Sequence, residues 1–150
     1  MRKYLNKYIL SGVSSCPAES LLGNHSTLMN EGVYVLELAN GQYYIGKSND
    51  IDRRISQHLL NGKDIQRRLA PETMGSPDWE AWERNETLHW MHHKGIKNVR
   101  GWLYTEPVLS KDLEQHAFGQ LCERYDLCRK CGQKGHFINQ CCLINTNACF

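Results

Sequence analysis

Residues 32–62, GVYVLELANGQYYIGKSNDIDRRISQHLLNG, carry the punctuation of a hairpin followed by a helix. Gly32–Leu38 and residues 42–46 are rich in β-branched and aromatic side chains and flank Asn40-Gly41, a dipeptide suited to the positive φ angles of tight hairpin turns. They predict an antiparallel strand pair. The segment SNDIDRRISQHLLNG opens with capping residues, repeats apolar side chains at Ile51, Ile55 and Leu59, and stops at Asn61-Gly62, which predicts an amphipathic helix. A strict two-residue loop would pair Leu38 with Tyr43 and place Tyr34 and Tyr44 on opposite faces. If the two act at one site, the loop must have an odd offset, such as a bulge with Gly41 left-handed.

Outward from this stretch, the chain of 150 residues suits one modest domain with a small appendage. A hydrophobic share of 41% and a charged share of 23% are ordinary globular usage and exclude a chain too polar to fold. The net charge of +2 names no partner, so any basic surface must be local. Residues 47–68 hold six Lys or Arg against three Asp, whereas residues 72–86 hold five acidic residues against Arg84. The acidic segment reads as a loop through Pro77 and then a helix to about Lys94. A further helix is predicted over Lys111–Tyr125, capped by Ser110, with Leu113, Ala117 and Leu121 as its apolar stripe. Residues 1–30 show no sustained period and are expected to be a loosely ordered leader, with room for a short helix over residues 18–29. No apolar run is long enough to span a bilayer, and no export signal is evident; an intracellular protein, cytoplasmic or nuclear, is expected.

Six of the seven cysteines lie after residue 120, which argues for metal rather than a disulfide framework. Cys128, Cys131, His136 and Cys141 form C-x2-C-x4-H-x4-C, whose thiolates and imidazole can close a tetrahedron about Zn²⁺. Gly132 and Gly135 fall where so tight a loop needs positive φ. Cys142 is an alternative fourth ligand; Cys16, Cys122 and Cys149 are expected to be ordinary thiols. The pattern resembles the CCHC zinc knuckle of retroviral nucleocapsid and RNA-handling proteins. On that resemblance Arg129 and Phe137 stand where knuckles contact unpaired bases, with Phe137 as a stacking platform and Arg129 stacking or pairing with phosphate.

Gly32-Val33-Tyr34 and Tyr44-Ile45-Gly46, followed by a helix with Arg54 and His58 one turn apart, resemble a GIY-YIG nuclease. The resemblance implies an α+β fold, a small antiparallel sheet flanked by helices, with the nuclease domain over residues 31–126, the knuckle over 127–142 and a tail over 143–150. It implies hydrolysis of phosphodiesters in nucleic acid, DNA ahead of RNA, with Mg²⁺ or Mn²⁺ catalytic, Zn²⁺ structural, and a 5′-phosphate and 3′-hydroxyl as products. Tyr34 would position or deprotonate water. A free tyrosine titrates at about 10, so this role needs a neighbouring cation such as the metal or Lys47. Tyr44 would orient water or phosphate, Arg54 would grip the scissile phosphate, His58 would assist or contact the next one, and Lys47 would also face nucleic acid.

Residues 82–102, WERNETLHWMHHKGIKNVRGW, resemble the segment in which such nucleases place a Glu four residues before a Thr. This makes Glu83 the Mg²⁺ ligand, with Glu80 and Glu86 as competitors. Asn98 matches a polar residue that often follows this helix, whereas Trp102 replaces a usual Gly. Residues 66–80, QRRLAPETMGSPDWE, show no β-rich run, so the family's third strand is expected to be absent or supplied from elsewhere. His89, His92 and His93 lack partners at metal-binding spacing and read as exposed helical histidines. The alternative to an enzyme is a nucleic-acid-binding protein on the same fold without turnover.

Overall fold

The structure is a computed structural model and describes residues 29–143. Nearly all of the expected leader, its short helix and the tail beyond Leu143 therefore lie outside the described residues. Among the described residues, four strands and three α-helices follow in chain order: β1 (Gly32–Leu38), β2 (Tyr43–Ser48), α1 (Ile51–Leu60), β3 (Ile65–Leu69), α2 (Trp79–Lys94), β4 (Val99–Arg100) and α3 (Lys111–Tyr125). The strands form one sheet in the order β3-β1-β2-β4, antiparallel except that the two-residue β4 joins β2 in parallel. The fold is α+β, and its sheet is mixed rather than wholly antiparallel.

In the hairpin, Glu37 pairs with Tyr43 and Tyr34 with Gly46. Leu38 N–H donates to the Gln42 carbonyl at 2.8 Å, and Gly41, at φ +81°, closes a three-residue loop. This is the odd offset that a shared tyrosine face requires. Tyr34, Leu36 and Tyr44 consequently share one face, while Val33, Val35 and Ile45 share the other.

Each face has its own apolar partner. Leu36 and Tyr34 pack with Ile51 and Ile65, against which Ile55 and Leu59 of α1 also lie. Val33, Val35 and Ile45 pack with Leu88, Trp90 and Met91 of α2 and Ala117 and Leu121 of α3. Burying each such aliphatic side chain contributes about 1.5–3 kcal/mol, which orients the sheet between α1 and the α2/α3 pair.

Helix boundaries follow the capping residues. Asp50 accepts from Arg53 N–H at 3.0 Å, Asp78 from Glu80 and Ala81 N–H, and Ser110 from Leu113 N–H. The expected spans of α2 and α3 agree with those observed.

A third strand is present, contrary to the expectation for this region, and its disguise is physical. Leu38 pairs with Ile65 but Glu37 with Arg67, so Gln66 is the extra residue of a β-bulge. The bulge turns Ile65 to the α1 side and Leu69 to the α2 side, which erases period-two alternation. Arg67 is held by Glu37 at 2.7 Å and Arg68 by Asp52 at 3.5 Å, so two cations sit within an edge strand.

Candidate active site and zinc knuckle

The hairpin register brings the two tyrosines together, and α1 lays its own residues over them. The Tyr34 hydroxyl and His58 Nε2 share a hydrogen bond of 2.8 Å. The Tyr44 ring meets His58 edge-on at 4.8 Å between centroids. Arg54, one turn before His58, donates to Gln57 Oε1 at 3.1 Å, and its charge bears on Tyr34, Tyr44 and His58 alike. Tyr34 is 1% exposed and His58 5%.

Gly46 is required by this packing. A Cβ there would stand 2.5 Å from the Tyr34 hydroxyl oxygen and 2.6 Å from Cζ, so only glycine lets the phenol lie across the strand.

Burial sets the protonation states. It raises the Tyr34 phenol well above its ordinary range, with Tyr44 and Glu83 adding to the rise and Arg54 opposing it. Tyr44 is raised for the same reason. His58 is pushed down to about 4 by burial and by the cations Lys63 and Arg54. At neutral pH the site therefore holds two protonated phenols and a neutral imidazole. The cation beside Tyr34 is Arg54, not Lys47.

Lys47 lies on the opposite face of β2, where its ammonium is bound by Glu80 and stands 3.1 Å from Glu83 Oε2. Glu83 Oε1 accepts from Trp102 N–H at 3.3 Å, and the Glu83 carboxylate influences both phenols. Its side chain is 12% exposed, against 61% for Glu80. Glu86 is wholly buried and already accepts from Glu72 N–H, Thr73 N–H, the Thr73 hydroxyl and Trp90 Nε1, which makes it the clasp of the loop before α2.

The turn carrying Trp102 forms despite the missing glycine. Trp102 takes φ +49°, and Gly101 and Tyr104 exchange backbone hydrogen bonds of 3.1 and 2.8 Å. A left-handed non-glycine residue costs of order 1–3 kcal/mol. Here the surroundings hold it: Trp102 packs edge-on against Tyr104, and the buried Arg100 donates to the carbonyls of Ile96, Lys97, Val99, Glu106 and Pro107. Asn98 donates its amide to the Lys94 carbonyl at 2.8 Å, closing the end of α2.

The ligand atoms of Cys128, Cys131, His136 and Cys141 all lie within 4.8 Å of one another. Three thiols and an imidazole at that spacing suit Zn²⁺. Gly132 and Gly135 have φ of +74° and +91°, as so tight a wrap requires. Cys142 is exposed and stands outside the cluster. The cluster rests against α3: the Phe118 ring backs Gly132, and Cys122 Sγ contacts the Cys128 carbonyl at 3.8 Å. Arg129 is exposed, and Phe137 is 72% exposed. The three helical histidines touch ring to ring, His89 to His93 at 4.5 Å and His92 to His93 at 5.2 Å between centroids, and each outer ring has a further partner: His89 pairs with Glu72 at 2.9 Å, and His92 stacks on Tyr125.

With this geometry in view, residues 30–102 match the family described as the GIY-YIG catalytic domain, and residues 126–141 match the zinc knuckle. The chain carries a GIY-YIG domain and a CCHC zinc knuckle. It is also similar to a UPF0213 protein of Halalkalibacterium halodurans, 33% identical over 63 residues that cover 41% of this chain and 66% of that relative. No solved structure matches the chain. The domain pair supports nuclease-type activity and a nucleic-acid partner. Among the described residues, no helix is long and apolar enough to cross a membrane.

Lys63 is the site residue that the sequence did not single out. Its ammonium stands 4.4 Å from the centroid of the Tyr44 ring. In sequence it is one cation among six, and only its position after the turn of α1 gives it meaning.

Proposed function

We propose that the protein is a divalent-metal-dependent endonuclease, acting on DNA ahead of RNA, with residues 31–126 as the catalytic unit and residues 127–142 as a knuckle that grips unpaired strand. The observation that carries this reading is the convergence of Tyr34, Tyr44, Arg54 and His58 on one face of the hairpin, under the influence of the Glu83 carboxylate.

The donors fit a hard cation. Lys47 brings a positive charge between the Glu80 and Glu83 carboxylates, oxygen ligands of the kind Mg²⁺ takes. Glu83 is the ligand in this reading, because Glu86 is consumed by the loop it clasps and Glu80 is the more exposed. Glu83 would hold Mg²⁺ or Mn²⁺ there, and the ion would supply positive charge to the phosphoryl oxygens.

The chain's own residues do the rest. Neutral His58 accepts the Tyr34 proton as the phenol oxygen draws one from the attacking water. The new P–O bond forms as the bond to the leaving oxygen breaks, and that oxygen takes up a proton from solvent to become the hydroxyl product. Arg54, a permanently charged fork, holds the scissile diester, and Tyr44 fixes its orientation. Phe137 offers a ring for base stacking, and Arg129 a contact to phosphate.

Incubation with end-labelled linear, flap and branched DNA tests the proposal. Cleavage with Mg²⁺ and none with EDTA is expected. Binding without cleavage of any of these substrates, with Mg²⁺ or Mn²⁺, would leave a nucleic-acid binder in place of an enzyme.

A further inference from the structure

Within residues 47–68, four of the six cations have carboxylate partners: Lys47 with Glu80 and Glu83, Arg53 with Asp50, Arg67 with Glu37 and Arg68 with Asp52. Arg54 and Lys63 have none among the described residues; Arg54 meets only the Gln57 amide and the phenols, and Lys63 the face of Tyr44. These two unmatched cations are the two beside Tyr44 and His58.

Lys63 is also fixed in place. Its backbone N–H donates to the His58 carbonyl at 3.0 Å, and the Asp64 carbonyl that follows accepts from Ala39 N–H in the hairpin loop at 2.9 Å. Burial and the Arg54 charge both disfavour the ammonium form of Lys63, so the unliganded site leaves like charges uncompensated. An anion relieves that. His58 is buried and neutral, so it cannot supply a cation for a second phosphate.

We infer that Lys63 binds a backbone phosphodiester, the one adjoining the diester held by Arg54. The inference rests on the nuclease reading and adds a second phosphate subsite to it. The shared chemistry is that of a phosphate anion, and a chain diester is favoured over free phosphate because Arg54 and Lys63 both bear on Tyr44 and His58, so that successive phosphates of one strand would meet both cations.

The test uses the full-length chain carrying Glu83→Gln, with a fluorescein-labelled duplex DNA titrated over a range of NaCl. Adding Lys63→Gln should lower the salt slope of log K by about 0.9, and affinity by about eight-fold at ~0.1 M salt, the loss for one phosphate contact. Lys63→Arg should restore the slope. Inorganic phosphate at fixed ionic strength should displace the duplex equally from the proteins with and without the Lys63→Gln change, as a chain subsite requires; displacement that depends on Lys63 would mean a free-phosphate site and overturn the inference. An unchanged slope with a lowered melting temperature would make Lys63 a mere staple on Tyr44 and overturn the inference alone. Failure of the Glu83→Gln protein to bind any DNA or RNA tested would overturn the nuclease reading with it.

Discussion

The Tyr34 hydroxyl and His58 Nε2 lie 2.8 Å apart, although 24 residues separate them in the chain. The contact exists because β1 offers Tyr34 to the face that α1 covers, and because Gly46 leaves room for the phenol. It also fixes how His58 titrates. Tyr34 from β1, Tyr44 from β2, Arg54 on α1 and Lys63 beyond it surround the ring, and none of them supplies a negative charge at neutral pH.

His58 should therefore titrate at about 4. Folded and unfolded chains both hold it neutral at pH 7. Below the unfolded value of about 6.5, the unfolded chain takes up the proton first, so stability falls with pH until the folded pKa is passed. The full loss from this one group is about 3 kcal/mol. Following the imidazole protons by NMR measures it directly, and a midpoint at 6 or above would contradict the packing around the ring.

Gly46→Ala should destabilise the fold by about 1–3 kcal/mol or more, because the added methyl must displace a phenol that is bonded to His58 and packed against Ile51. Gly41→Ala makes a useful contrast. Its methyl meets no atom within 4 Å, and the loss comes only from the φ of +81°, about 1 kcal/mol. Denaturant unfolding of the two variants separates them; equal losses would mean that Tyr34 is free to move.

Glu86 and Glu83 are three residues apart on α2 and should behave oppositely. Glu86→Ala strands the Glu72 and Thr73 amides and the Trp90 indole N–H, and should cost about 3–5 kcal/mol. Glu83→Gln keeps its shape at a partly exposed site and should change the melting temperature little. A stable Glu86→Ala protein would reopen the choice of metal ligand.

Zinc should be present at one ion per chain. Cys131→Ser removes one of the four donors and should abolish it in metal analysis after dialysis, with the sheet and α1 still folded because neither core cluster contains a zinc ligand. Full zinc retention in that variant would point to a different ligand set.

What the sequence made legible was whatever local rules control. The register argument anticipated a shared face for Tyr34 and Tyr44, and capping residues marked the helix ends. Strand β3 was hidden because a bulge at Gln66 scrambles its alternation and because Arg67 and Arg68 find carboxylates on β1 and α1. The clasp role of Glu86, named in sequence only as a competing metal ligand, gave no signal, since the loop it holds lies more than ten residues away in the chain. Lys63 stood out only once four of the other five cations had carboxylate partners.

The two modules can be set against each other. Glu83→Gln keeps the side-chain shape but removes the charge that would hold Mg²⁺, and hydrolysis should fall by several orders of magnitude because metal activation supplies several kcal/mol. Binding should persist. Phe137→Ala removes a ring that is 72% exposed and carries no core packing, so the fold should be unaffected. Its single-strand affinity should weaken by about 1–3 kcal/mol, the range for one stacked base, with little change in turnover at saturating substrate. Measuring kcat and KM for both variants on one labelled substrate resolves the two roles: Glu83→Gln should act on kcat and Phe137→Ala on KM. If Phe137→Ala impairs binding while neither wild type nor Glu83→Gln cleaves any substrate, the site is a platform for nucleic acid and not a catalyst.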